Sequence, residues 1–400
     1  MTQWGDYSTG ERIKLLRGPE TQERLAEATG LSVHTIRKAE GDRGVSLQSL
    51  LLISAALHAD VSVVLGQQAP RRAMRGTDRA MLRALSQTVH DASAGIGADV
   101  EPSGAAALAA GLGAAWQVYR SGDYVGAGVR AAPALREAAA ALRSADAGKV
   151  CEARGTLADA YRLAAYVANQ FGARDLAYAA IGHAQDEAER AGDEVRGACT
   201  ASGRSWIYLR DARLEQAALT ARRSYEAIEP RFGNRDLGLL ATYGWHVTLA
   251  AVVAARRGRV EEADDLLSQG RAVAARMGRD VEVNGTAFGP AVVAAQAVGI
   301  SVSTGRPGRA LELFAERGDT SPLTDSARQR MMLDVALAQS DTRQSDAALD
   351  TLLEVCSSAP QWARHQALPG VIAQKASAGS ATTGKLRKLA ALLGTSVIIS

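Results

Sequence analysis

The side chains best suited to chemistry form one short cluster near the N-terminus. In the stretch LAEATGLSVHTIRKAE, residues 25–40, two helical patterns meet at Gly30, and the second carries histidine, threonine, arginine and lysine on very few apolar residues. Side chains of these types bind phosphate oxygens and the edges of bases. Because so few apolar residues hold this helix down, we expect its polar side chains to point outward. The pattern therefore indicates a nucleic-acid-binding helix.

Several short helices must position this cluster, and their signals are local. Serine or threonine stands before each of three helical patterns, where its hydroxyl can cap the first backbone amides; these residues are Thr21, Ser32 and Ser46. Ala26 leaves room for a close helix contact, Gly30 permits a tight turn, and Ile36 is expected to face inward. A small residue, a turn glycine and an inward apolar residue in this order are typical of a helix-turn-helix.

Residues 10–66 resemble the lambda-repressor-like, or XRE, helix-turn-helix family. The segment GERIKLLR resembles the family's first helix, TQERLAEATGLSVHTIRKAE its second and third, and SLQSLLLISAAL its fourth. The resemblance implies a five-helix domain whose third helix enters the major groove of DNA. It also implies eight DNA-binding residues: Gln22 on the DNA backbone, Val33, His34 and Lys38 at base edges, Thr35, Arg37 and Arg43 on phosphates, and Ser32 at the start of the same helix.

The overall composition favours an all-α protein. The 400 residues are 47% hydrophobic but only 4% aromatic, and the apolar content is mostly alanine, leucine and valine, of which the first two favour helices. A net charge of +3 does not identify a ligand class. No signal peptide or membrane-spanning run stands out. The three dispersed cysteines, Cys151, Cys199 and Cys356, are typical of a reduced cytoplasmic protein with buried thiols.

Motifs of common enzymes and metal sites are absent from the sequence. It has no Walker loop, no HExxH and no GxSxG, and its six histidines show no metal-ligand spacing. We therefore expect no catalytic activity, no cofactor and no metal site.

A turn motif recurs six times in the C-terminal three quarters of the chain. A turn residue is followed five positions later by alanine, and the copies begin at Gly122, Gly172, Ala212, Gly258, Gly305 and Thr342. Glycine ends a helix without strain, and alanine in the next helix allows close packing. Spacings of 37 to 50 residues predict an α-solenoid of stacked helical hairpins. A generic alanine-rich bundle is the alternative.

Two segments, GARDLAYAAIGHAQDEAERAGD and GRVEEADDLLSQGRAVAARMGR, resemble the turn and second helix of a tetratricopeptide repeat. The spacing differs from the standard period of about 34 residues, so we expect longer helices and an irregular superhelix. The sequence predicts three parts: a helix-turn-helix domain at 1–66, a linker and connecting helix at 67–103, and a repeat domain at 104–400 for effector binding and dimerisation.

Two sets of aromatic residues are candidates for a ligand pocket or for packing. Trp116, Tyr166 and Trp206 stand six positions before the first three turn motifs, and this recurrence favours packing between hairpins. Arg210, near Trp206, could bind an anion or lie solvated on the surface. The predicted effector site has no such recurrence, although packing is the more ordinary role of such residues and is the favoured alternative; its members are Tyr243, Trp245, His246, Asn284 and Phe288.

A helix-turn-helix joined to such repeats resembles ligand-responsive bacterial regulators, especially those of actinobacteria. The resemblance implies a cytoplasmic homodimer that binds a double-stranded DNA operator and responds to a peptide, a small molecule or a protein, with no membrane partner. One alternative is a tetratricopeptide-like interaction scaffold whose helix-turn-helix has lost DNA binding and mediates docking. Another is an antitoxin-like or phage-type repressor that a protein partner regulates.

Overall fold

The structure, a computed structural model, describes residues 7–57, 59, 61–65, 75–96, 100–366, 368–377 and 383–393. Within these ranges the chain is predominantly helical, as predicted. The connecting helix expected at 77–92 is present as α6 (Gly76–Ser93). Parts of the predicted linker, at 67–74 and 97–99, and the end of the predicted repeat domain, at 394–400, lie outside the described residues.

Five short helices form an N-terminal unit: α1 (Thr9–Arg17), α2 (Gln22–Thr29), α3 (Val33–Glu40), α4 (Leu47–Ala56) and α5 (Val61–Val64). The three predicted caps are present, since each hydroxyl of Thr21, Ser32 and Ser46 accepts from the backbone amide three residues later. Gly30 ends α2 with φ of 67°, a conformation that glycine adopts without strain. Ile36 is fully buried, as predicted.

A buried ion pair holds the N-terminal unit together. The Glu40 side chain is only 2% exposed. It accepts hydrogen bonds from Arg17 Nε and from Gln22 Nε2, both at 2.6 Å. The Arg12 guanidinium is also buried and donates to the Val64 carbonyl at 3.3 Å. These contacts connect α1, α2, α3 and α5, so the orientation of α3 is fixed by the interior of the unit.

Six helix pairs follow in the described part of the chain: α7 (Ala105–Ser121) with α8 (Tyr124–Arg143), α9 (Val150–Gln170) with α10 (Arg174–Ala191), α11 (Glu194–Arg210) with α12 (Leu214–Glu226), α13 (Leu237–Arg256) with α14 (Val260–Met277), α15 (Pro290–Ser303) with α16 (Pro307–Glu316), and α17 (Asp325–Asp341) with α18 (Ser345–Ser358). Each pair packs on the next, and α6 packs against α8. Five of the six predicted turn motifs coincide with the turns inside these pairs, and the sixth is displaced by one residue.

Every one of these turns has the same construction. The turn residue has a φ between 56° and 92°, and these residues are Gly122, Gly172, Ala212, Gly258, Gly305 and Arg343. The alanine five positions later is 0% exposed in all six pairs: Ala127, Ala177, Ala217, Ala263, Ala310 and Ala348. A larger side chain there would separate the paired helices.

The sixth copy of the motif was predicted one residue too early. Its turn residue is Arg343 and not Thr342, and the buried alanine is Ala348, whereas Ala347 is only half-buried. This copy contains no glycine, and two successive alanines fit the motif equally well. The sequence therefore left its register open by one residue.

The helix pairs curve until the end of the chain meets the first pair. Three helices follow the sixth pair: α19 (Pro360–Arg364), α20 (Leu368–Ser377) and α21 (Thr383–Leu393). Helix α17 contacts α7, and Trp362 packs on the turn at Gly122. The His365 ring lies 5.6 Å from the Tyr124 ring and 4.8 Å from the Phe171 ring, centroid to centroid. The pairs therefore close into a ring.

A short β-hairpin interrupts the helices between α14 and α15. Strands β1 (Val281–Val283) and β2 (Thr286–Phe288) pair antiparallel, with Val281 opposite Phe288. Asn284 and Gly285 form the turn, with φ of 51° and 72°. An Asn-Gly pair with two positive φ values is the favoured connection of a two-residue hairpin. The all-α expectation missed this element, although the stretch VEVNGTAF contains its signal.

One described helix, α13, is long and apolar enough to cross a membrane. This run was not predicted from the sequence. However, 67% of the apolar window is buried inside the protein, and α13 contributes the centre of a hydrophobic cluster with α14 and α15. A core helix passes the same test of length and composition, so the observation is weak evidence for a membrane segment.

The thiols differ from the prediction at one position. Cys199 and Cys356 are buried, as expected, and burial raises their pKa to about 11 and about 12. Cys151 is exposed, so the prediction of a buried thiol is wrong there. It is the second residue of α9, in a first turn whose neighbouring residue Glu152 also faces outward.

Candidate functional site

The outer side of α3 carries most of the side chains predicted to bind DNA. Ser32, His34, Arg37 and Arg43 are exposed, and Lys38 is half-buried. Because these residues belong to one two-turn helix and the loop that follows it, three cationic groups and one imidazole are close together on the surface. Their arrangement provides donors for phosphate oxygens and base edges.

Gln22, predicted to contact the DNA backbone, makes hydrogen bonds to α3 in this structure, and its contact with DNA stays a prediction. Its Nε2 donates to Glu40 at 2.6 Å, and its Oε1 accepts from Arg37 Nε at 3.3 Å. Arg37 also lies 3.6 Å from Glu23, and both side chains are 63% exposed. Such an exposed ion pair contributes little stability, so Arg37 can exchange Glu23 for another anion. Gln22, in contrast, connects α2 to α3 and positions Arg37.

Val33 and Thr35, also predicted to contact DNA, are both half-buried. Val33 packs against the hydrophobic core. The Thr35 amide donates to the Ser32 hydroxyl at 3.1 Å, and the two hydroxyls are 2.9 Å apart. In this structure both residues stabilise the first turn of α3, and their contacts with DNA stay a prediction.

The charge of the N-terminal unit is concentrated locally. Residues 1–66 contain seven lysines and arginines against eight aspartates and glutamates, a net charge of −1. The buried Glu40 is neutralised by Arg17, and the Asp42 carboxylate accepts from Gly10 N and the Ser8 hydroxyl. The cations predicted to contact DNA are therefore a local group on α3 and the loop after it, in a unit whose net charge is slightly negative, so we expect one copy to bind DNA weakly.

The ring of helix pairs encloses a cavity of about 350 Å³. The first helix of each pair faces it: α7, α9, α11, α13, α15 and α17 all contribute lining residues. The β-hairpin also lines it, and Gly285 reaches the first pair, since a Cβ at that residue would lie 3.2 Å from the Trp116 ring. Such a concave, partly enclosed site is a common form of a small-molecule site.

Aromatic side chains cover one wall of the cavity. Trp116, Tyr166 and Trp206 all line it. The ring centroids of Trp116 and Tyr166 are 5.3 Å apart, and those of Tyr166 and Trp206 are 5.0 Å apart. The prediction that these residues pack between hairpins is therefore incomplete, because they pack on one another and also face the cavity. Their recurrence before the turns marks the inner face of the ring.

Among the described residues, the charged side chains of the lining are four arginines and one aspartate: Arg120, Arg210, Arg256, Arg330 and Asp334. Arg330 Nε pairs with Asp334 at 3.1 Å. Arg210 donates to Gln170 Oε1 at 2.8 Å, and its Cζ lies 5.6 Å from the centre of the Trp206 ring. The sequence left two places open for Arg210, an anion site or the solvated surface. In the structure its side chain lies at the wall of the cavity.

Burial perturbs two titratable groups at the cavity. It lowers the pKa of His365 to about 4 and raises the pKa of Tyr119 well above its usual value. At neutral pH both side chains are therefore uncharged, and they contribute hydrogen-bonding groups and ring surface but no charge to the wall.

Of the predicted effector-binding residues, Trp245 lines the cavity and the other four do not. Tyr243, His246 and Phe288 are buried, and the Phe288 ring fills the space beside Gly244. The His246 Nδ1 lies 3.2 Å from the Ser224 carbonyl oxygen, and burial lowers the pKa of His246 to about 4.

The fifth member, Asn284, is at the turn of the β-hairpin, where its Nδ2 donates to Thr242 Oγ1 at 3.1 Å. Neighbouring positions on a helix point about 100° apart, so the residues on either side of Trp245 face the core while Trp245 faces the cavity. The structure brings Trp245 together with Trp206 and Arg210, and it does not bring together the predicted set.

The N-terminal unit closes part of the cavity. Leu51, Ser54 and Ala55 of α4 contribute to its lining. The Gln48 side chain lies beside the turns of two helix pairs, 3.7 Å and 3.6 Å from where a Cβ would be at Gly258 and Gly305. Helix α4 thus contacts the ring on one side and α2 on the other.

No group of three or more histidine, cysteine, aspartate or glutamate side chains that could hold a metal ion occurs among the residues described. A scan against models of known protein families found no match, and a search of curated proteins found none either.

Proposed function

We propose that this protein is a sequence-specific DNA-binding transcription regulator whose ring of helix pairs senses an effector. The observation that carries the proposal is the geometry of α2 and α3. Gly30 makes a left-handed turn between them, Ile36 anchors α3 in the core, and His34 and Lys38 remain available on its outer side. A short helix fixed in this way can place its first turns in a major groove.

The proposed DNA complex is a homodimer on a two-fold operator. Helix α3 and the loop after it offer three cationic side chains, and the net charge of residues 1–66 is −1. Because non-specific affinity grows with the number of phosphates neutralised, a single copy would bind weakly. Two copies on adjacent half-sites would bind far more tightly, and two-fold dimers are the commonest symmetric oligomers.

The proposed control depends on α4, which lines the cavity and also packs on α2. An effector that fits the cavity better in one orientation of the N-terminal unit shifts the protein toward that orientation. The same coupling means that DNA changes the affinity for the effector by an equal factor. The two N-terminal units of a dimer would then match or miss the half-site spacing.

A genomic DNA pull-down with the purified full-length protein tests the proposal. We expect enrichment of a short inverted repeat by the wild type. The variant Lys38→Ala/Arg43→Ala should lose this enrichment, while the control Arg222→Ala/Arg309→Ala should keep it. The control removes the same charge from exposed helices of the ring. Equal enrichment by both variants would refute DNA binding through α3.

The near-neutral charge of the N-terminal unit favours one second candidate, an interaction scaffold in which this unit binds protein. A scaffold would show no preference among duplexes and no steep dependence of DNA binding on salt concentration, whereas a regulator would show both. Co-purification of a partner in a fixed ratio, with no DNA enrichment, would support the scaffold.

A further inference from the structure

The side chains around the central cavity define its ligand more closely than the proposed function does. We propose that the cavity binds an uncharged, planar ring compound, held by an aromatic wall and by a hydrogen bond to the Ser54 hydroxyl of α4. The regulatory meaning of this site rests on the proposed function, but ligand binding itself does not.

Tryptophan is concentrated at this cavity. The chain has five tryptophans, and four of them line the cavity: Trp116, Trp206, Trp245 and Trp362. The fifth, Trp4, lies outside the described residues. Trp206 and Trp245 are only half-buried, which leaves part of their ring surface open to the cavity. The largest aromatic side chains of a protein with only 4% aromatic residues are thus gathered on one inner surface.

The rings of this wall favour a flat ligand. The ring centroids of Trp116 and Tyr166 are 5.3 Å apart, and those of Tyr166 and Trp206 are 5.0 Å apart. The buried Arg162 lies against Trp116, with its Cζ 4.8 Å from the ring centre. Aromatic side chains bind other ring systems by stacked or edge contacts at centroid distances of about 4.5–7 Å. A planar ring compound would therefore extend the series of ring contacts already present in the wall.

The charged groups of the wall favour an uncharged ligand, because they already interact within the protein. Arg330 pairs with Asp334 at 3.1 Å, and Arg120 pairs with Glu282 of the hairpin at 2.9 Å. The remaining arginines of the lining also have interactions with other groups of the protein, and they are Arg210 and Arg256. A charged ligand would lose hydration on entering the cavity and would compete with these partners for a counter-charge. An uncharged ligand avoids both costs.

The Ser54 hydroxyl indicates a ligand independently of the rings. Ser54 is 2% exposed and lines the cavity, and among the described residues its hydroxyl has no hydrogen-bond partner. A buried hydroxyl without a partner costs free energy, and an oxygen or nitrogen atom of a ligand would provide that partner. Because Ser54 belongs to α4, this hydrogen bond would connect the ligand to the unit that carries α3.

The size of the cavity favours a small ring compound over a peptide. Its volume of about 350 Å³ is near the lower end of the range for small-molecule sites, about 300–1,000 Å³. A peptide of many residues would exceed this space unless the ring of helix pairs opened.

Quenching of tryptophan fluorescence tests the site and its chemical class. In the full-length variant Trp4→Phe every remaining tryptophan lines the cavity, so a probe bound there should accept their excitation energy. We would titrate this protein, without DNA, with the uncharged N-phenyl-1-naphthylamine and with 8-anilinonaphthalene-1-sulfonate, which adds a sulfonate to the same rings. We expect saturation at one uncharged probe per chain, and at least about tenfold weaker binding of the sulfonate.

Two results of this titration would contradict the proposal. Saturation at many probes per chain would overturn the single ligand site. Equal or tighter binding of the sulfonate would overturn the uncharged class of ligand.

Two variants on α11 locate the site. Trp206→Leu removes a ring from the wall and should weaken binding of the uncharged probe about tenfold, measured by the emission of the probe itself. The matched control is Tyr208→Leu, two residues later on the same helix. Tyr208 does not line the cavity, and its ring packs on Tyr178 with the centroids 5.4 Å apart. If both variants fold, by circular dichroism, and bind the probe alike, the probe binds elsewhere and the proposed site is wrong.

Ser54→Ala tests the hydrogen bond to α4. We would displace the uncharged probe with 2-naphthol, which carries a hydroxyl, and with naphthalene, which does not. Ser54→Ala should weaken binding of 2-naphthol about three- to tenfold and leave naphthalene unchanged, because only 2-naphthol can form a hydrogen bond with the serine. An unchanged affinity for 2-naphthol, or an equal loss for both compounds, would exclude Ser54 as a partner of the ligand.

The ligand site and the proposed function fail in different ways. Binding of the uncharged probe without any DNA binding would refute the proposed regulator and leave the ligand site standing. DNA binding without binding of the probe would refute the ligand site and leave the regulator standing.

Discussion

Closure of the ring can be tested by adding one methyl group at Gly122. This residue has φ of 92°, and a Cβ there would lie 2.7 Å from Trp362 Cδ1 and 3.0 Å from its Cβ. The left-handed conformation costs an alanine about 1–2 kcal/mol. Carbon atoms in contact prefer about 3.5–4.0 Å, so the indole must also move, which costs about 1–3 kcal/mol. Gly122→Ala should therefore destabilise the protein by about 2–5 kcal/mol.

The matched control is Gly192→Ala. Gly192 has φ of 67°, and its Cβ would meet no atom within 4 Å, so this variant should lose only the conformational part, about 1–2 kcal/mol. Urea unfolding followed by circular dichroism measures both losses, and small-angle X-ray scattering measures the radius of gyration. We expect a larger radius for Gly122→Ala alone. Equal losses for the two variants, with unchanged radii, would refute the contact between the first pair and α19.

Three further predictions concern the turns, the core and α3. Ala348→Val should destabilise the sixth pair by about 1–3 kcal/mol, and Ala347→Val by less than about 0.5 kcal/mol. If urea unfolding instead shows the lower midpoint for Ala347→Val, the turn motif begins at Thr342 as the sequence predicted. Burial holds the pKa of His246 at about 4, below its ordinary value of 6.5. As the pH drops, His246 is therefore protonated first in the unfolded chain. The free energy of unfolding should fall by about 3 kcal/mol between pH 6.5 and pH 4. His246→Asn should flatten this dependence in urea titrations at several pH values, and an unchanged slope would exclude His246 as its source. Lys38→Ala should weaken DNA binding by about 1–3 kcal/mol and change the preference at one base pair. Arg43→Ala should weaken binding to all duplexes about equally. If a binding-site selection shows the same sequence preference for Lys38→Ala as for the wild type, α3 does not read bases.

The helices of the N-terminal unit were predictable because their signals are local. A capping hydroxyl precedes α2, α3 and α4, and Gly30 ends α2. The turns of the first five helix pairs were predictable for the same reason. The sixth was displaced by one residue because no glycine marks this turn and two successive alanines, Ala347 and Ala348, fit the motif equally well. The β-hairpin was missed although Asn284 and Gly285 are a strong local signal, because a dominant helical pattern surrounded them.

The cavity depends on long-range contacts that the sequence does not encode locally. Repetition of Trp116, Tyr166 and Trp206 indicates that they share one face of the helix pairs, but not whether that face is packed or open. The inner face forms a cavity because the pairs close into a ring, where Trp362, some 240 residues after Gly122, meets the first pair. The sequence of α13 likewise did not distinguish Trp245, which lines the cavity, from its buried neighbours Tyr243 and His246.

The most direct test of the central claim is the affinity of the full-length protein for a duplex that carries the enriched repeat, compared with a scrambled duplex of equal length. Fluorescence anisotropy at several salt concentrations gives both values. We expect the specific duplex to bind at least about 10³-fold tighter, with affinity falling steeply as salt rises, and we expect Lys38→Ala/Arg43→Ala to remove the difference. A folded wild-type protein that binds both duplexes equally, or neither, would contradict the proposal that this protein reads DNA.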